Sequence, residues 1–263
     1  MFDVKRVAED HPGQGGTEAM GGGYCKACGR NHFFAAAAAR EEAHILMQLL
    51  AAHQRIDLLA PEGEADPRFA TGYLFGEARG QMFGVMVCRD QQGERQVLRA
   101  FSCQYNGEWE VAGWVPPLFK VSAFKELTFG TEQRIKELGK EIEALEAGKP
   151  QRQQCITERR QLSQRLMQDI HGLYRLHNFR GEECSLAEAF VGPGGIPTGA
   201  GDCCAPKLLN HAAQNDLTPL GIAEFYWGAA NRSATRQHGR FYPACREKCA
   251  PILGFLLCGL EGG

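Results

Sequence analysis

The stretch Gly199-Ala-Gly-Asp-Cys-Cys-Ala-Pro-Lys-Leu-Leu209 decides how the rest of the chain is read. A glycine-rich turn delivers two adjacent cysteines to a predicted helix start, because Pro206 falls in a first turn, where no amide hydrogen bond is needed. Unpaired backbone N–H groups and the positive end of the helix dipole favour a thiolate there, the form that binds metal. Downstream, Tyr242-Pro-Ala-Cys-Arg-Glu-Lys-Cys-Ala-Pro251 sets Cys245 and Cys249 at zinc-ligand spacing. Cys203, Cys245 and Cys249 are therefore read as a zinc site. Cys204 stands as a replacement for Cys203 or as the fourth ligand, a place also open to His211, His238 or a water.

Length and composition bound the rest. At 263 residues and 44% hydrophobic content, the chain can bury a core as one large domain or two modest ones. A formal net charge of −2 gives no global basic field, so any nucleic-acid contact must be local. No apolar run is long enough for a membrane span, and the start Met1-Phe-Asp-Val-Lys-Arg lacks the apolar stretch of a secretory signal. An odd count of eleven cysteines then favours reduced thiols and metal ligands over disulfides, and a cytoplasmic location.

Along the chain, residues 1–23 are polar and glycine-rich and are expected to form a flexible tail. In Tyr24-Cys-Lys-Ala-Cys-Gly-Arg-Asn-His32, the residues Cys25, Cys28 and His32 have knuckle-like spacing. They are either free thiols on a loop or half of a second metal cluster completed from elsewhere. The run from Phe33 to Arg55 predicts an amphipathic helix, and Tyr73–Cys88 with Gln96–Cys103 predicts an antiparallel hairpin. Trp109–Val115 is expected to add a short strand. Residues 24–121 thus make the first part of an α/β domain. Within 122–177, Ile135, Leu138, Ile142 and Leu145 alternate at three and four residues. Gly148-Lys-Pro150 interrupts, and Leu162, Leu166, Ile170 and Leu173 resume, predicting an inserted antiparallel coiled-coil hairpin. Residues 178–263 then carry the helix opening at Cys203, a buried strand from Pro219 to Gly228 and a final helix through Leu257. In the polar loop before that helix, Arg232, Arg236, His238 and Arg240 lie near Phe241 and Tyr242, a pattern suited to RNA because arginine binds phosphate while aromatics stack bases.

The order helix, hairpin, cysteine-opened helix, strand, two-cysteine helix resembles the cytidine-deaminase-like fold, a three-layer α/β sandwich. That resemblance implies a zinc-bound water served by a glutamate two residues after the first ligand. Here that position is Ala205, and Asp202 and Glu224 are the nearest acids that could stand in. A closer resemblance covers more of the chain. Gln81-Met-Phe-Gly-Val-Met-Val87, Val115-Pro-Pro-Leu-Phe119, the stretch from Gly199, Pro219-Leu-Gly-Ile-Ala-Glu-Phe-Tyr-Trp-Gly228 and Arg236 through Gly254 are similar to the N-terminal extension of RluA-type RNA pseudouridine synthases. The aspartate motif of the synthase domain is absent, since its single look-alike, Arg55-Ile-Asp57, is followed by Leu58-Leu-Ala-Pro61. The resemblance implies an accessory module bound to RNA, to an RNA-modifying enzyme or to both, without synthase activity of its own. An active zinc deaminase, or a structural adaptor acting through the coiled coil, are the competing readings.

Overall fold

The structure, a computed structural model, describes residues 19–61 and 63–260. At its centre is an antiparallel sheet in the order β4-β3-β7, built from β3 (Gln81–Arg89), β4 (Arg95–Phe101) and β7 (Thr218–Trp227). As the middle strand, β3 is covered on both faces, which is why Phe83 through Cys88 are all buried instead of alternating with polar residues. The period of two still sorts its side chains. Phe83, Val85 and Val87 join Phe101, Ala223 and Phe225 under helix α1 (Ala37–His53), in a core that includes Tyr105 and Trp114. Met86 and Cys88 face the other way, with Ala100 and Ile222, against α5 (Cys204–Gln214) and α6 (Ala250–Leu256). The result is helix, sheet and helix in layers.

The β3–β4 hairpin forms as expected but begins only at Gln81, because Thr71–Phe75, overlapping the start of its expected first strand, is a 3-10 helix. Asp90 closes the β3–β4 turn by accepting from the N–H groups of Gln92 and Glu94, and Gly93 supplies the positive φ of 86° that the turn requires. Helices α2 (Val121–Ala144) and α3 (Pro150–His171) form an antiparallel pair split by Gly148, with Pro150 in the first turn of the second helix. Leu138 and Leu166 are buried in this pair, and Arg134 bridges Glu141 and Glu158 across it at 2.9 Å. A small hairpin, β5 (Arg175–His177) and β6 (Glu183–Ser185), leads into the single-turn helix α4 (Leu186–Ala189).

Three further expectations change. Residues 19–23, assigned to the tail, belong to β1 (Ala19–Cys25), which pairs with β2 (Arg30–Ala35); residues 1–18 lie outside the described residues. The helix expected from Phe33 therefore starts only at Ala37. Trp109–Val115 is irregular backbone and not a strand, with a turn at residues 112–113 where Gly113 takes a φ of 86°. Its indole anchor, Trp114 Nε1, donates to the Ile56 carbonyl at 2.8 Å, and the Val115 N–H donates to the Arg99 carbonyl at 2.8 Å. No helix among the described residues is long and apolar enough to cross a membrane.

Candidate metal centre and thiol cluster

The β1–β2 hairpin turns through a knuckle. The Gly29 N–H donates back to the Cys25 carbonyl at 2.9 Å, and Gly29 takes a φ of 71°, so Cys25 and Cys28 point into one space. His32, on β2, brings Nε2 to 3.0 Å from Cys28 Sγ. The fourth member comes from the far end of the chain: Cys258, in the turn after α6, is buried against the knuckle. The ligand atoms of Cys25, Cys28, His32 and Cys258 all lie within 4.8 Å of one another, the single such group of three or more among the described residues. Three sulfurs and one imidazole nitrogen match a closed tetrahedral site with no place left for substrate.

Close backbone packing is what carries Cys258 there. A Cβ on Gly254 of α6 would fall 2.1 Å from the Tyr24 carbonyl oxygen, and one on Gly23 would fall 2.2 Å from the Ala250 carbonyl oxygen. Only glycine lets α6 lie this near β1. Lys26 adds a bond from Nζ to the Phe190 carbonyl at 2.7 Å. His32 holds the Cys28 thiol down to about 6, with backbone hydrogen bonding helping, while burial, then bonds from Cys28 and Cys25, push Cys258 up to about 12. Arg180 hydrogen-bonds to Cys258, which raises the guanidinium further and places a positive charge beside the sulfurs.

The cysteines singled out first by spacing form a second cluster. Cys203 is the N-cap of α5, Cys249 the N-cap of α6, and the Cys249 thiol hydrogen-bonds with both Cys203 and Cys245. The Cys249 thiol and the backbone N–H groups of Lys248, Glu247 and Cys249 lower the half-buried Cys245 to about 5. Cys204 turns away, its Sγ 3.4 Å from the Met82 carbonyl oxygen. That contact depends on Gly84, where a Cβ would meet the Cys204 Cβ at 2.5 Å. His238 is elsewhere too: its Nδ1 accepts from the Gly228 N–H at 3.1 Å and its ring packs on Trp227 with centroids 4.2 Å apart.

The two stand-in acids separate. Glu224 is fully enclosed on β7 and reaches the first turn of α5, where its Oε1 accepts the Ala205 N–H at 2.7 Å; burial pushes it up to about 7. Asp202 instead accepts from Tyr174 Oη at 2.6 Å. Beside them Lys207, buried in α5, donates to the carbonyls of Phe101 and Cys103 at 3.0 and 2.9 Å, and burial lowers its ammonium. In the basic loop, Arg236 lies 4.1 Å above the Tyr242 ring, and Arg232, His238 and Arg240 are exposed around it.

The structure brings both cysteine sets together. The knuckle, read as half a site, is the one with a compact tetrad. Comparison of the chain with protein-family models, with curated proteins and with solved structures finds no match.

Proposed function

We propose that the chain is a zinc-stapled α/β accessory module of RNA modification, related to the N-terminal extension of RluA-type pseudouridine synthases and without synthase chemistry of its own. The observation that carries the metal part is the tetrad of Cys25, Cys28, His32 and Cys258. Its sulfur-rich donor set favours zinc over hard cations, and its four protein ligands make the role structural. The RNA part is supported by the sequence resemblance and by the loop in which Arg236 stacks on Tyr242 beside three further exposed basic residues. In this reading the α2–α3 pair is a coiled coil that reaches a protein partner, and the layered core is a deaminase-like sandwich retained for its shape.

Elemental analysis of purified protein, paired with filter binding of a structured RNA, tests the proposal. About one zinc per chain is expected, lost in Cys28→Ser and Cys258→Ser and kept in Cys203→Ser and Cys245→Ser. Protein that carries no zinc in any preparation, or that leaves structured RNA unbound, refutes the corresponding half.

A specific observation favours a second reading. The Glu224 carboxyl, contributed by a strand and bonded to the amide of Ala205, lies in the environment of Cys245 and Cys249, where a displaced proton-transfer acid would be needed for a zinc deaminase. Release of ammonia from cytidine or adenosine, abolished by Glu224→Gln and by Cys245→Ala with the knuckle metal retained, would establish it in place of the accessory role.

A further inference from the structure

Beside the metal tetrad lies a cavity of about 930 Å³, lined by Cys28, His32 and Cys258 together with Arg30, Phe33 and Arg180 among others. The lining includes two arginines and the Asn31 amide but no carboxylate. Arg180 is partly engaged, 3.5 Å from Glu182 and bonded to Cys258. Arg30 is exposed, and no ion pair ties it down among the described residues. Phe33 is 67% exposed although phenylalanine usually seeks a core. Its position is fixed from below, since β1 presents Gly22 opposite it and the Phe33 ring occupies the place a Gly22 side chain would take. Phe33, Gly259 and Leu260 also line a second cavity of about 700 Å³, which continues past Phe179 and Leu217 to the start of β7. Phe33 therefore borders both hollows, with the Arg30 guanidinium in the first, while the second is mixed, Asn178, Asp216 and Thr218 lining it beside Phe179 and Leu217.

We propose, resting on the RNA-associated reading above, that this groove binds single-stranded RNA, with a base stacked on Phe33 and the adjoining phosphate held by Arg30. Bases have apolar faces that stack on aromatics whatever their sequence, whereas phosphates need donors on a surface without competing acids. Phe33 and Arg30 both line the first hollow, whose lining holds no carboxylate; Asp216 lies in the second. The metal tetrad fixes the hairpin that presents them, so the zinc staple and the RNA contact become parts of one device.

The test is fluorescence anisotropy of a 5′-fluorescein decauridine titrated with the zinc-loaded full chain. Phe33→Ala is expected to weaken binding about tenfold and Phe33→Tyr less than about twofold. Arg30→Ala should weaken it as well and flatten the slope of log affinity against log salt by about 0.7, the loss of one single-strand phosphate contact. Metal content and circular dichroism check that the variants fold. Cross-linking of 4-thiouridine RNA to the wild-type chain, read by mass spectrometry, is expected on 30–33 or 257–260 and needs no variant. RNA bound with wild-type affinity by both Phe33→Ala and Arg30→Ala, or cross-links confined to 232–242, overturns the groove and leaves the RNA-associated reading standing. A wild-type chain that binds neither decauridine nor structured RNA overturns both.

Discussion

Replacing Cys258 by serine removes the ligand that ties the end of α6 to the knuckle near the start of the chain. The other three ligands lie within a few residues of one another and can hold a metal even in an unfolded chain, so only Cys258 makes the metal a long-range cross-link. Closing a loop of roughly 230 residues reduces the entropy of the unfolded chain by an amount worth about 5 kcal/mol in the cross-link model. Zinc held by four such ligands is bound by roughly 10–16 kcal/mol in small peptides, so metal affinity is sufficient to sustain a staple of that size. At about 2–4 °C per kcal/mol for a domain of this length, the variant should melt some 10–20 °C below wild type. Differential scanning fluorimetry with and without a chelator measures it. Wild type and Cys245→Ser should drop by a similar interval on chelation, while Cys258→Ser should begin low and respond little. A Cys258→Ser protein with wild-type metal content, melting within about 2 °C of wild type, would refute the staple.

Gly254→Ala puts a methyl group against the Tyr24 carbonyl, a backbone atom that cannot rotate aside. It should cost at least about 1–3 kcal/mol and weaken metal binding at a distance, which zinc titration against a colorimetric chelator would reveal. Glu224→Gln keeps an acceptor for the Ala205 N–H but removes a buried acid. Because the folded carboxyl titrates near 7 and the unfolded one near 4.5, wild type is most stable below pH 4.5 as far as this group is concerned and loses stability as pH rises towards 7. The variant should therefore gain on wild type across that interval, by at most about 3 kcal/mol above pH 7. Urea melts at pH 5 and pH 8 measure the difference, and an equal effect at both would contradict the burial argument. Leu138→Asp buries an unpaired charge between α2 and α3. It should lower helical circular dichroism while leaving metal content and the core melting transition in place; loss of the metal would show that the helical pair is integral to the core.

What could be read from the sequence was whatever periodicity governs. Helix α1, the β3–β4 hairpin, the α2–α3 pair and β7 each follow from spacing and from turn residues such as Asp90, Gly93 and Gly148. Strand β1 does not, because Gly21, Gly22 and Gly23 have the composition of a tail. It is a strand for tertiary reasons: α6 packs on it so closely that only glycine fits, and the knuckle closes its end. Cys258 was missed for a related reason. It sits in an apolar run after α6 with no second ligand nearby in sequence, and the one available hint was that Cys25, Cys28 and His32 lacked a fourth partner while a spare cysteine stood at the other end. Glu224 was visible as an acid inside an apolar strand, but its contact with Ala205 depends on how β7 lies beneath α5.

Both cysteine sets hang on the same short helix. Cys249 caps α6 at one end, Cys258 follows it at the other, and Ile252 through Leu256 between them are buried. Seven helical residues span only about 10 Å, so α6 acts as a strut that cannot move one set without the other. Its neighbours divide accordingly: α5 and β7 bring Cys203 and Glu224 to the first end, while β1 and β2 bring the knuckle, Phe33 and Arg30 to the second. In the proposed reading, a metal at the tetrad holds in register the groove on one side and the thiols with their buried acid on the other. Arg30, Asn31 and Phe33 of the hairpin are exposed, although its first strand packs closely on α6. In that same reading, a metal staple at the knuckle keeps this exposed surface rigid without covering it.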